Sequence, residues 1–164
     1  MAHLSRNVFR RVIADDPYLI DGDFPAYVER ASLTDVFAHS DVVSLHVPLT
    51  PETRGMIDAA AIGAMKPSAV FLNVGRGATV DEGALVRALE EKRIRGAALD
   101  VFETEPLPAG HAFYRLENVL VSPHCADHTV TWRDDAVRLF LENLARFRRG
   151  EPLRNVVEEK PRGY

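Results

Sequence analysis

The sequence predicts an α/β fold in which a parallel sheet is wound with helices on both faces. Three observations carry this. Continuous apolar runs at 41–47, 69–74 and 96–101 read as strands covered on both sides rather than one. Stretches with helical spacing separate them, of which 81–92, carrying Leu85, Val86 and Leu89, is the clearest. Polar and titratable residues collect just past the strand ends, where open α/β sheets place their ligands.

In chain order, Val8 to Ala14 reads as a first short strand, stopped by Pro17, with Asp15 and Asp16 at its carboxyl edge. Residues 18–31 are mixed and turn-rich. A short helix follows at 32–40, with Leu33, Val36 and Phe37 on one face. Asp41 to Val47 is the second strand, ended by Pro48. Thr50 to Thr53 has a helix-start pattern, and Asp58 is the expected cap of a helix over 59–65. Ala69 to Val74 is the third strand, Gly96 to Val101 the fourth and Val119 to Ser122 the fifth. Residues 102–111 form a loop with two prolines and two glutamates between the last two strands. A long helix spans 130–149, with Val137, Phe140, Leu141, Leu144 and Phe147 in helical spacing, and Gly150 ends it.

The third strand runs into Gly75-Arg76-Gly77 and then into an acid-rich helix start at Asp81-Glu82. Glycine lets backbone approach closely or take dihedrals that a side chain forbids. An arginine between two glycines, projected from the carboxyl end of a buried strand, suits bidentate capture of a carboxylate.

At 164 residues, 46% hydrophobic and 27% charged, the chain has the composition of one ordinary globular domain. A formal charge of −4 leaves no basic footprint for nucleic acid. The single cysteine, Cys125, excludes an internal disulfide and fits a reducing compartment. No apolar run approaches the roughly 20 residues of a membrane span. The first residues lack the apolar region, about 7–15 residues long, of a secretory signal. The cytoplasm is the expected location, with no membrane, nucleic-acid or metal partner.

Asp16, Arg76, Asp100 with Glu105 beyond it, and His124 stand past successive strand ends. Each has an ordinary reading when taken alone: a turn-forming Asp before Pro, a surface turn, a solvated loop. Together on one sheet edge they argue for a site. A histidine suits proton exchange near neutral pH, and a nearby glutamate would favour its charged form and fix its orientation. An arginine would hold a carboxylate and polarise a neighbouring carbonyl. An acid at the position of Asp16 suits ribose hydroxyls and repels a 2′-phosphate, which reads as NAD chosen over NADP.

These stretches resemble the D-isomer-specific 2-hydroxyacid dehydrogenases, the group of phosphoglycerate dehydrogenase, hydroxypyruvate reductase and the carboxyl-terminal-binding corepressors. The matching segments are 12–18, 41–50, 65–67, Asn73-Val74-Gly75-Arg76-Gly77, 98–106, Ser122-Pro123-His124 and 154–157. The resemblance covers about residues 8–157 in family order. It implies a Rossmann-like doubly wound parallel sheet, and Arg76, Glu105 and His124 as the catalytic residues of keto-acid reduction by NADH. It further implies Asp16 on the adenosine ribose, Val47 near the adenine, and Val74, Gly75 and Arg76 along the nicotinamide. Asp100 would meet the carboxamide, with His124 and Asp127 also beside the cofactor. After His124 the family often has small residues, commonly glycine. Here Cys125-Ala126-Asp127-His128 departs from that pattern, and Cys125 itself is not expected to be a nucleophile.

No Gly-x-Gly-x-x-Gly occurs in the sequence, so the turn and first strand that hold the pyrophosphate in this family are missing from it. The resemblance therefore reads as the carboxyl-terminal part of such an enzyme, entering within the first helix of the nucleotide domain. The expected organisation is a partial NAD-binding domain over 1–129, a long helix at 130–150 leading back toward a substrate domain, and a charged tail at 151–164. An apolar central sheet edge should be left unpaired. This polypeptide alone is expected to bind NAD poorly and to turn over little. The full-length form is expected to be a homodimer acting on a small 2-keto or 2-hydroxy acid. The other readings are an NADH-responsive corepressor-like binding module and an inactive fragment.

Overall fold

The computed structural model describes residues 5–19 and 24–156. Residues 1–4, the end of the predicted tail at 157–164, and Val157 of the closing motif lie outside the described residues. Among the described residues the strands are β1 (Val12–Ala14), β2 (Val28–Arg30), β3 (Val42–Leu45), β4 (Val70–Asn73), β5 (Gly96–Leu99) and β6 (Val119–Val121). The helices are α1 (Leu33–His39), α2 (Ala59–Ala64), α3 (Glu82–Glu90) and α4 (Trp132–Arg148), with 3-10 turns at Gly77–Thr79 and Ala112–Arg115.

A four-stranded sheet ordered β3-β4-β5-β6 is parallel throughout, in the Rossmann-like manner predicted. The register places Leu45 opposite Asn73, Asn73 opposite Leu99, and Leu99 opposite Val121, so the four carboxyl ends are level. Helices cover the sheet through Phe37, Ile62, Leu85 and Leu89, which join Val43, Leu45, Phe71, Ala97 and Leu99 in one core. Local chemistry sets the helix starts as the sequence indicates. Ser32, Asp58 and Asp81 each accept the backbone N–H three residues on, satisfying an otherwise orphaned donor.

The structure corrects two expectations and bears out a third. First, the strands do not form one sheet: β1 pairs in parallel only with β2, in a separate two-stranded sheet. Residues 18–31, read as turns, contain that partner strand. Its residues Val28-Glu29-Arg30 offer one buried apolar side chain, and Arg11 reaches across to Glu29 at 2.6 Å. Second, β1 starts at Val12 and not Val8, because the amides of Val8 and Phe9 both donate to Ser5 O in a turn and are not available to a ladder. The unpaired edge is found as expected: β3 has no partner on its outer side among the described residues. Val43 and Leu45 are buried, so the free edge is one of backbone groups.

Helix α4 carries the predicted apolar stripe, yet none of its residues is buried. Phe140 is 64% and Phe147 71% exposed. An apolar patch of that extent marks a surface built to be covered.

Gly77 explains how two segments come together. A Cβ there would lie 1.9 Å from the Phe102 carbonyl carbon and 2.1 Å from its oxygen, so the turn after β4 and the chain after β5 meet backbone to backbone. Gly77→Ala is expected to destabilise the fold by about 3 kcal/mol or more, since neither backbone is free to retreat. Urea unfolding checks this, and a midpoint equal to that of the unaltered chain would contradict it.

Candidate functional site

The level strand ends bring three successive loops onto one edge. After β4, Asn73 is 1% exposed and acts as a template for the turn. Its Oδ1 accepts from Gly75 N at 3.0 Å and its Nδ2 donates to Arg76 O at 3.1 Å. Thr79 Oγ1 donates to the same carbonyl at 2.5 Å. The backbone of Arg76 is thereby fixed while its side chain stays exposed, with Nη1 donating to Gly75 O at 2.7 Å. Arg76 makes no ion pair among the described residues, and apart from that bond its guanidinium is exposed. Gly75 lies close under β3: a Cβ there would sit 3.0 Å from Val47 O. Val47, half-buried, and Val74, 37% exposed, supply apolar surface on either side of that approach.

After β5, Asp100 is 3% exposed and its carboxylate organises the next loop. Oδ1 accepts from Ser122 Oγ at 2.5 Å and from Cys125 N at 3.0 Å, and Oδ2 accepts from Ala126 N at 2.8 Å. Burial alone would raise this group. The bonds from Cys125, Ser122 and Ala126 and the nearby His124 outweigh it and hold the carboxyl below its usual range. His124 N also donates to Asp100 O at 2.8 Å. These contacts keep His124 at φ +51°, a left-handed conformation that costs a non-glycine residue about 1–3 kcal/mol unless its surroundings impose it.

Glu105 comes from the loop after β5, where its Oε1 accepts from Phe102 N at 3.0 Å and its bond to Pro106 is cis. Its Oε2 lies 2.7 Å from His124 Nδ1. Burial would raise the Glu105 carboxyl, but the bonds from His124 and Phe102 and the charges of His124 and Arg76 bring it below its ordinary value. An ionised carboxylate only accepts, so Nδ1 carries the proton and Nε2 is the ring atom left for proton exchange with a ligand. Glu105 and His124, read separately from the sequence, thus meet directly, and Arg76 lies near enough for its charge to act on Glu105.

The remaining predicted positions stand differently. Asp16 ends β1 in the other sheet, and its Oδ1 accepts from Tyr18 N at 2.9 Å. Beside it Asp15 is raised, by burial first and then by the charge of Asp16. Asp127 is exposed and lies 3.7 Å from His128 Nε2, whose ring stacks on Trp132 at 4.9 Å. The Cys125 thiol is pushed up by burial and by Asp100, which disfavours the thiolate. Sequence reasoning gave no role to Asn73, Thr79 or Ser122. Their signal was a hydroxyl or amide at a strand end (Asn73, Ser122) or in the buried turn that follows one (Thr79), positions that require a polar partner. A surface groove between α2 and α3, lined by Ile62, Arg87 and Arg93 among others, lies away from this edge.

Acid pH should weaken the arrangement. Asp100 and Glu105 have depressed folded values, so their contribution is present above the unfolded carboxylate values of about 4 and is lost as pH falls through the folded ones. Asp100→Ala leaves a hydroxyl and two amides without an acceptor and is expected to cost about 3 kcal/mol at pH 7. Its unfolding free energy should also fall less between pH 5 and pH 3 than that of the unaltered chain. Denaturant titrations at several pH values check both, and parallel pH profiles would contradict the assignment.

Comparison with known proteins followed the same line. The family profile for the D-isomer specific 2-hydroxyacid dehydrogenase NAD binding domain matches residues 2–126. A glyoxylate reductase of Aeropyrum pernix is 44% identical over 132 residues, covering 80% of this chain and 39% of that protein. A D-isomer specific 2-hydroxyacid dehydrogenase of Lactobacillus delbrueckii ssp. bulgaricus, solved in its NAD-complexed form, superposes with a TM-score of 0.82 at 32% identity, covering 90% of this chain and 48% of that one. Another from Xanthobacter autotrophicus Py2, solved with NADPH and MES, gives 0.74 at 39% identity, covering 94% and 62%. The chain therefore spans about 40% of the length of the curated relatives it matches.

Proposed function

The chain belongs to the D-isomer specific 2-hydroxyacid dehydrogenases, as their NAD-binding domain, and from that premise we propose that it supplies the acid–base and cofactor side of an NAD-dependent oxidoreductase acting on small 2-hydroxy acids. The observation that carries this reading is the 2.7 Å pair of Glu105 and His124 beside Arg76, at the carboxyl edge of a parallel sheet. Arg76 binds the carboxylate of a 2-keto acid and orients its carbonyl. His124 Nε2 donates a proton to the carbonyl oxygen, and in the oxidative direction takes it from the hydroxyl. Glu105 accepts Nδ1–H throughout, holding the ring in the one tautomer that exposes Nε2.

The residues present fit the nicotinamide end of a dinucleotide. Gly75, where a Cβ would sit 3.0 Å from Val47 O, and the exposed apolar Val74 offer that end its surface, with Val47 kept toward the adenine side. Bound there, NADH supplies the hydride that reduces the carbonyl carbon. In this reading His124, Asp127 and Arg76 border the same end, and Asp100 joins it while holding the 122–126 loop. Asp16 meets the adenosine ribose and, with Asp15 next to it, disfavours a 2′-phosphate, so NAD is the cofactor in place of NADP. A phosphate-binding glycine turn and most of the substrate wall come from outside these 164 residues, and the apolar stripe of α4 is covered by that substrate-binding portion. We further place the complete enzyme in the cytoplasm as a homodimer, readings that rest on the lone cysteine and on the resemblance.

The test is absorbance-monitored oxidation of NADH and NADPH by the protein isolated from its own cells, with glyoxylate, hydroxypyruvate and phenylpyruvate in turn. Turnover with at least one of them, and faster with NADH, is the expected result. NADH binding without turnover of any would replace this reading by that of a cofactor-responsive binding module.

A further inference from the structure

The 102–111 loop that carries Glu105 has no helix or strand to hold it, yet Glu105 must stay on His124. Its anchor is found in the first turn of α3. Glu82 Oε1 accepts from Glu103 N at 2.5 Å, near the start of the loop. Glu82 Oε2 lies 3.8 Å from His111 Nε2, at the loop's end. His111 Nδ1 accepts from Phe113 N at 3.3 Å, so Nε2 bears the ring proton and turns it toward Glu82. The His111 ring packs on Phe113, which is 1% exposed, at 4.7 Å between centroids, so that end of the loop is seated in the core. The side chains of Glu82 and His111 are 15% and 25% exposed, which removes most of the water that would compete for them.

Glu82 is also rigidly connected to Arg76. The five residues between them are bound by Thr79 Oγ1 and Thr79 N to Arg76 O, by Val80 N to Gly77 O, and by the cap at Asp81. A glutamate in a first helical turn has an ordinary explanation in the helix dipole. That explanation requires only a charge, not two oxygens directed at the two ends of one loop.

We propose that Glu82 is a positioning residue: its carboxylate pins both ends of the 103–111 segment to the helix that follows the Arg76 turn, and so fixes Glu105 on His124 at a set distance from Arg76. This rests on the reading of Glu105 and His124 as the acid–base pair, but it concerns the geometry of the pair and is tested without turnover.

Two variants of the complete chain separate reach from charge. Glu82→Asp keeps a charge favourable to the helix start but is one methylene too short to serve both ends of the loop. Glu82→Gln keeps the length and the acceptor for Glu103 N–H but turns an NH2 donor toward the proton-bearing His111 Nε2, so with the charge it loses that end of the loop. The readouts are the carboxyl titration of Glu105 by carbon NMR and the solvent exchange of the His124 Nδ1 proton. The groups facing Glu105, namely His124, Arg76 and Phe102 N–H, are the same in both variants. In Glu82→Asp the Glu105 titration should rise toward the ordinary glutamate value and the Nδ1 proton should exchange at least about tenfold faster. In Glu82→Gln, which keeps only the Glu103 end of the loop, both should move in the same direction but by less than in Glu82→Asp. Unmoved readouts in Glu82→Asp, or equal changes in the two variants, would overturn the proposal. Loss of turnover with these readouts intact would instead count against the functional reading alone.

Discussion

His124→Asn is expected to lower kcat for 2-keto acid reduction by roughly 10²–10⁴-fold, the usual contribution of a positioned general acid. Asparagine is the informative replacement because it tolerates the left-handed backbone found at this position, φ +51°. Its amide still has a donor for Glu105 but has no proton to transfer. The fold and NADH affinity should therefore change little while the chemical step fails. Glu105→Gln removes the carboxylate that selects the tautomer and should cost less, roughly 10–100-fold, as partners one step removed from the reacting atoms usually do. A His124→Asn protein with unaltered kcat would show that the 2.7 Å pair is structural.

The second large effect is expected at Arg76. Its backbone is held through its own carbonyl, by Asn73 Nδ2 and Thr79 Oγ1, so replacing the side chain leaves the turn intact. Arg76→Lys keeps a positive charge but loses the planar fork that grips both oxygens of a carboxylate. One charged hydrogen bond is worth about 1.5–3 kcal/mol, so kcat/KM for the keto acid should fall roughly 10–10²-fold with lysine. With alanine, which loses the whole grip, the fall should be roughly 10³-fold or more. Steady-state kinetics with NADH saturating separates this from a cofactor effect. Equal kcat/KM for Arg76→Lys and the unaltered protein would exclude bidentate capture.

The carboxyl edge of the sheet was legible in the sequence because period and punctuation coincide there. The buried strand 70–73, the glycines at 75 and 77 and the cap at Asp81 each say the same thing, and the site residues follow from being just past strand ends. The division into two sheets was not legible. Strand β2 is Val28-Glu29-Arg30, with Glu29 and Arg30 exposed, and no alternation over three residues distinguishes that from a turn. The stripe of α4 shows a different limit: helical spacing states that Val137, Phe140, Leu141, Leu144 and Phe147 share a face, but not what covers it. In the sequence Gly77 reads as letting backbone pass close to a ligand; the structure instead gives close approach to the Phe102 backbone, a contact across some 25 residues that local reading does not see. Glu82 looked like a helix-start acid for the same reason, since both groups it holds belong to a loop that follows the next strand.

The central claim is that this edge transfers hydride equivalents to a 2-keto acid while His124 supplies the proton. It is tested most directly by incubating the protein from its own cells with glyoxylate or phenylpyruvate and NADH deuterated at the transferred position, then analysing the product by mass and chirality. The account predicts a 2-hydroxy acid carrying one deuterium at carbon 2, of D configuration where that carbon is stereogenic, formed at least about 10²-fold more slowly by His124→Asn. A protein that binds NADH yet yields no deuterated product, or yields it equally well without His124, would contradict it.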